Sequence, residues 1–401
     1  MEKDNSKVFL LILLGMLTAF GPFVTDMYLP SLPAMGNYFS TTSSMVQLGL
    51  TTSMIGLAVG QIFFGPLSDR YGRRLPLLVA MWLFIFSTVF CLFAQNIQQF
   101  VAFRLVQGVA GAGGIVIARS IATDKYSGKE LAKMLAVIGA INGVAPVIAP
   151  IIGGVFTEII GWQGIFCILL GLGVVLLAGC YRFRESLTKG HRLMSKWSDT
   201  FRSFKVVLQD RQYVFYVLQM AFAQGVLFSY IASSPFIVQQ HFSYSALGFS
   251  LCFAVNAVAM GVAAALSVKF RRPVSCTLAG CIGMLIAAVG ECMALMSGCS
   301  FWVYELLLLA LLFMMGLTFT STTALAMECQ RDNAGTASAL LGAVCFAFGG
   351  IVSPLVGIGD ILASSGIIFV ICAFCSLCCI LIALGKRRAR LYFAFSTSQK
   401  R

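Results

Sequence analysis

The chain has 401 residues, of which 59% are hydrophobic and only 11% charged; a soluble domain carries roughly 25% charged residues, so a water-soluble fold of this size is excluded. The formal charge of +13 is spread over many short turns rather than gathered into one stripe, which excludes nucleic-acid binding and fits an anionic cytoplasmic leaflet.

A membrane-crossing helix needs about 20 apolar residues, and twelve such spans are predicted at 8–30, 45–66, 75–95, 98–118, 131–157, 163–183, 212–238, 246–268, 274–297, 303–327, 333–358 and 361–385. The predicted fold is therefore all-α, with two six-span bundles at 1–183 and 212–385. A cytoplasmic linker at 184–211 joins them, and a basic tail follows at 386–401. Span 1 lacks a small-residue cleavage site and is expected to stay as a helix rather than be removed as a signal peptide. Lysine and arginine collect at Lys3 and Lys7, at Arg70, Arg73 and Arg74, around the turn between spans 4 and 5, in the linker, at Lys269, Arg271 and Arg272, at Arg331 and in the tail. The alternate turns carry none, which places both termini in the cytoplasm.

Span 1 contains a single charge, Asp26, within "FVTDMYLPSLP". A structural carboxylate would cap a helix or pair locally, and neither is evident; an intramembrane acid otherwise points to a proton pathway, which makes Asp26 the candidate proton carrier. Span 2 ends in "GPLSDRYGRRLP", where Gly65 permits close packing and Asp69 and Arg73 can form charged contacts. A positive-inside signal alone would explain Arg70, Arg73 and Arg74 but not Asp69, Gly65 or Gly72.

Span 4 reads "FRLVQGVAGAGG", with Arg104, Gln107 and Gly108. Arg104 lies about 12 Å from the outer end of its helix at 1.5 Å per residue, a depth compatible with Asp26 through a backbone carbonyl or water. Span 5, "AVIGAINGVAPVIAPIIGG", places Gly139, Gly143, Gly153 and Gly154 on a small-residue face for tight packing, with bends at Pro146 and Pro150.

The second half repeats the first. Gly65 and Arg73 are matched by Gly261 and Lys269, but Ala265 stands where Asp69 would be, so chemistry that needs these acids belongs to the first half. Glu291 and Glu305 fall near the outer ends of spans 9 and 10, where water and headgroups are expected to solvate them. Fourteen cysteines include "CAFCSLCC" at 372–379, read as small hydrophobes in an apolar helix rather than metal ligands. Cys292 and Cys299 are placed to pair, although nothing requires it. No metal and no cofactor are expected.

The segment "GPLSDRYGRR" resembles the signature between spans 2 and 3 of the major facilitator superfamily, and "FRLVQG" resembles that family's span 4 motif. The resemblance implies that Asp69 and Arg73 form a cytoplasmic latch between halves that must break during alternating access. Span 5 resembles the antiporter motif of proton-driven exporters, with Ala149-Pro150 where glycine-proline is more usual. "DMYLPSLP", "ARSIATD" and "GTASALLGAV" together resemble the bicyclomycin- and chloramphenicol-resistance exporters; Thr123 stands where a second arginine is frequent.

The implied function is proton-coupled export of largely neutral, semi-lipophilic drugs from a bacterial inner membrane, by a non-enzymatic monomer. Its partners would be drug, protons and lipid. Asp26 and Arg104 would couple the proton, and Tyr28, Gln107, Asn142, Gln224, Phe228, Tyr230 and Asn256 would line the substrate cavity. The alternatives are a facilitator of an amino acid or sugar, and a non-transporting membrane receptor. A receptor would need a large extramembranous domain, and a metabolite carrier would need more polar contacts.

Overall fold

A computed structural model describes residues 5–187, 192, 204–270, 272–330 and 334–398 of the chain. Lys3, Arg271, Arg331 and most of the linker lie outside the described residues. All regular structure among those described is helical, as hydrocarbon demands, since a helix satisfies its own backbone N–H and C=O groups.

Helix α1 (Lys7–Asp26) starts at Ser6, whose hydroxyl accepts from the Phe9 N–H at 3.2 Å. A 3₁₀ turn at Leu29–Ser31 links it to α2 (Leu32–Tyr38), so the first crossing is interrupted just beyond Asp26. Pro30 and Pro33 lie at this interruption and bring no N–H to a helical ladder. Then come α3 (Ser43–Tyr71), α4 (Arg74–Leu92) and α5 (Ile97–Lys125). Helix α5 is capped by Asn96, which accepts from the Gln99 N–H at 2.9 Å.

Helix α6 runs Gly128–Arg182, 55 residues with one non-helical residue, Gly161, at φ 67° and ψ −174°. It is two helical arms that meet at a kink at Gly161; at 1.5 Å per residue they are about 50 and 30 Å long, each enough for the ~30 Å hydrocarbon thickness. The kink at Gly161 falls within the break expected at 158–163 between spans 5 and 6, and it is shorter than a separate turn. The remaining helices are α7 (Arg211–Phe236, extended by a π turn at Ile237–His241), α8 (Ala246–Ser267), α9 (Pro273–Met296), α10 (Phe301–Cys329), α11 (Ala334–Val352) and α12 (Ile361–Ser398). Eleven helices among the described residues are long and apolar enough to cross a membrane, counting α6 once. A short turn separates α9 from α10, with Gly298 at φ 71° in it.

The chain gathers into two compact units. The first holds the described residues of Met1–Trp197 with Ile231–Val255 and Ser353–Ile358; the second holds those of Ser198–Tyr230, Asn256–Val352 and Gly359–Arg401. The first unit is built on the contact of α3 with α5. A Cβ on Gly108 would run into the Ser53 carbonyl, and one on Gly56 into the backbone of Leu105 and Val109, so glycine lets the two backbones touch where no hydrophobic effect between helices is available. The second unit has its own core around Tyr213, Tyr216, Cys281, Leu325 and Ile380. Cys292 and Cys299 are both free thiols, so the pairing left open by the sequence does not form.

Gly108→Leu should push α3 and α5 apart. Overpacking costs about 1–3 kcal/mol, and the expected outcome is a lower melting temperature in detergent. Leu105→Ala, on the more exposed side of the same helix, should leave the midpoint nearly unchanged.

Candidate functional site

The Arg104 side chain has no exposed surface. Its Nη2 donates to the Val24 carbonyl of α1 at 3.1 Å, its Nε to the Gly49 carbonyl of α3 at 3.4 Å, and its Nη1 to the Gln107 amide oxygen one turn along α5. The guanidinium lies over the Tyr28 ring, 4.3 Å from its centroid, with the Phe166 ring at 5.8 Å. Carbonyl dipoles and an aromatic face thus take the place of water around a permanent cation.

Asp26 is 8% exposed, two residues beyond the carbonyl that Arg104 holds, and its Oδ1 accepts from the Thr25 hydroxyl at 2.8 Å. Among the described residues it makes no ion pair. The link from Asp26 to Arg104 therefore runs through the backbone of α1. The carboxylate thus lies near a fixed cation without pairing with it among the described residues.

The predicted substrate residues divide between the two units. In the first, Tyr28 and Gln107 join the Arg104 network, and Asn142 is half-buried on α6. The Gln107 amide is used at both ends, its oxygen by Arg104 and its nitrogen by the Thr88 hydroxyl at 2.7 Å, so it orients the arginine. In the second, Phe228 packs against the Phe346 ring at 5.8 Å and over Gly349, and Gln224 is half-buried on α7. Asn256 donates to Glu305 Oε1 at 2.9 Å and to the Tyr230 hydroxyl at 3.4 Å.

The antiporter-like segment splits in behaviour. Gly153 abuts the Met27 carbonyl, and Gly154 lies against Ser250 and the Ala246 carbonyl, as a small-residue face requires. Gly139 and Gly143 do not: a Cβ on either would meet open space, because this part of α6 has no close neighbour on that side. Pro146 and Pro150 lie within α6, the former half-buried and the latter buried.

At the α3–α4 turn, Gly65 lies 3.7 Å from Val116, by its hypothetical Cβ, rather than in backbone contact. Arg73 is 5% exposed and pairs with Asp69, with the Ser68 hydroxyl at 2.8 Å, and twice with Asp124, at 2.8 and 3.1 Å. Burial works against its charge, yet hydrogen bonds to Asp124 and Asp69 hold its pKa above the usual guanidinium value. The Glu185 carboxylate accepts from the N–H groups of Arg73 and Arg74 at 2.8 and 3.1 Å and from those of Ser186 and Leu187 at 3.0 Å. Gly72, at φ 92°, is required twice over, by its backbone and because a Cβ would sit 2.5 Å from Glu185 Oε2. Arg74 donates to the Tyr181 carbonyl, whereas Arg70 lies over the Tyr71 ring. All of these charged contacts lie inside the first unit.

Sequence reasoning missed four acids. Asp124 closes the quoted "ARSIATD" segment and could have been matched to Arg73; Glu185 opens the linker and reads as a solvated charge. Glu291 and Glu305 were expected in water or headgroups, but Glu291 has no exposed surface, while Glu305 is half-buried and bonded to Asn256. No sequence pattern in either helix signals that burial.

Residues 11–354 match the sequence profile of the Major Facilitator Superfamily. The chain is 36% identical over 369 residues to an uncharacterized MFS-type transporter, YdgK, of Bacillus subtilis, covering 89% of this chain and 90% of that one. It is 26% identical over 363 residues to a bicyclomycin resistance protein homolog of Haemophilus influenzae, with 89% and 90% covered. Among solved structures it is similar to a bacterial homologue of the human lysosomal transporter Spinster, with a TM-score of 0.74 at 18% identity, over 94% of this chain and 96% of that one; this likeness concerns the fold alone.

Asp124→Ala should strip the paired carboxylate from a buried guanidinium. A hydrogen bond to a charged group contributes about 1.5–3 kcal/mol, and the expected result is a clear loss of thermal stability in detergent. Arg70→Ala, in the same turn but outside the network, should cost little by the same measurement.

Proposed function

Because the chain belongs to the major facilitator superfamily, in its bicyclomycin- and chloramphenicol-resistance branch, we propose that this transporter exports largely neutral, semi-lipophilic drugs in exchange for protons. It is a multi-pass protein of the bacterial inner membrane. The proposed arrangement is twelve crossings with both termini cytoplasmic, working as a monomer by alternating access. The observation that carries the reading is Asp26, a buried carboxylate without an ion pair among the described residues, two residues from the carbonyl that anchors a buried arginine.

In this reading a proton arriving from outside neutralises Asp26, which removes the cost of enclosing a charge in an apolar site. Drug arriving from inside favours release of that proton toward the cytoplasm. Arg104 stays charged and fixed throughout, stabilising the carboxylate while it is open to water. Competition of this kind is reciprocal: each ligand weakens the other's binding by the same factor. Each charge carried inward draws about 2.3 kcal/mol per 100 mV from the membrane potential, so export of a neutral drug is electrogenic. Tyr28 and Asn142 in the first unit, and Gln224, Phe228, Tyr230 and Asn256 in the second, are the proposed drug contacts. Gln107 acts on Arg104, and the Asp69–Arg73 turn is the proposed latch.

Asp26→Asn should retain drug binding, measured by fluorescence quenching or calorimetry, while losing its pH dependence and all uphill export in inverted vesicles. Vesicles of this variant that still concentrate drug when a pH gradient is imposed would remove Asp26 from the coupling.

Asp69→Asn should reach the membrane at near-normal levels and lose most transport, since its contact lies at a partly exposed helix end, where Asp124 still holds Arg73. Normal turnover, or failure to insert, would count against the latch.

A further inference from the structure

The second unit holds two acids to which nothing above gives a task, one of them bonded to the proposed drug contact Asn256. Glu291 on α9 has no exposed surface, and among the described residues neither of its carboxylate oxygens has a hydrogen-bond partner. Glu305 faces it from α10, accepting at Oε1 from Asn256 while its Oε2 is buried without a donor. Asn256 on α8 is 1% exposed, and its own carbonyl oxygen is also without a donor. Four buried acceptor atoms thus lie on three neighbouring side chains, none of them with a donor among the described residues.

Such a surplus of acceptors asks for hydrogens. An ionised carboxylate sealed from water with no donor is far more costly than the neutral acid, whose O–H supplies one missing donor, and two neighbouring carboxyls cannot both carry charge in such a place. The titratable groups facing Glu291 are Glu305 from α10, Cys299 from the turn at 297–300 and Cys292 on its own helix. Helix α12 brings Gly366 against Cys292, and α7 brings Tyr230 to Asn256. Neither acid makes an ion pair with a basic side chain among the described residues.

We propose that Glu291, Glu305 and Asn256 form a second proton-binding site, in which a proton held on the Glu291–Glu305 pair exchanges with the medium independently of Asp26. The helix ends support exchange: Glu291 lies five residues before the end of α9 and Glu305 is the fifth residue of α10, both beside the short turn at 297–300 and opposite the basic turn at Lys269 and Arg272. On the orientation proposed above, that end faces the source of protons. A proton binds one carboxylate oxygen and leaves it again; no other bond changes.

The test uses the purified full-length protein carrying Asp26→Asn, without drug, so that its result is separate from the role given to Asp26. Infrared spectra are recorded in the C=O region of protonated carboxyls, in neutral and alkaline buffer, for this background and with E291Q or E305Q added. The expected result is a buried-carboxyl band in neutral buffer that fades in alkaline buffer, loses the area of one carboxyl in E291Q and shifts in E305Q. Spectra that both variants leave unchanged would overturn the site, as would a band insensitive to pH. If E291Q does not fold, labelling of the background protein with a hydrophobic carbodiimide decides by mass spectrometry: Glu291 labelled in neutral but not alkaline buffer supports the site, and Glu291 unlabelled in neutral buffer overturns it.

Discussion

A guanidinium with no exposed surface has to be solvated by protein, and the way Arg104 meets that demand sets the geometry of the first unit. Its donors reach the Val24 carbonyl of α1 and the Gly49 carbonyl of α3 from a root on α5. Three helices are thereby fixed in register by one side chain. The close glycine contact between α3 and α5 is what brings the Gly49 carbonyl within reach, and the interruption after Asp26 leaves a carboxylate at the end of a helix rather than in its middle. Packing and charge placement are one arrangement here.

The same economy governs the turn between α3 and α4. Arg73 is held by two carboxylates and a hydroxyl, while Glu185 gathers four backbone N–H groups. Two of those donors open α4, so the acid acts on the helix N-terminus as a cap from a distant segment. Gly72 at positive φ makes the approach possible.

The fold was legible in the sequence because hydrocarbon imposes a coarse rule, runs of about 20 apolar residues, which predicted the helices and located Asp26, Arg104 and the α3–α4 turn. Where detail depended on which side of a helix meets a neighbour, the sequence was silent. Gly153 and Gly139 belong to one apparent small-residue face, yet only Gly153 abuts another backbone. Gln107, expected at the substrate, is bonded at both ends of its amide, to Arg104 and Thr88, which its sequence position did not signal. Glu291, close to a helix end, looked solvated, because distance along a helix says nothing about burial around it. The joint between spans 5 and 6 was expected at 158–163 and lies there, but an isolated glycine does not announce that helix continues so closely to either side of it.

That joint bears on biogenesis. With one non-helical residue at Gly161, the two arms of α6 have no loop between them to emerge and settle before the second arm is made. The second arm therefore follows the first with almost no intervening chain as the protein is synthesised.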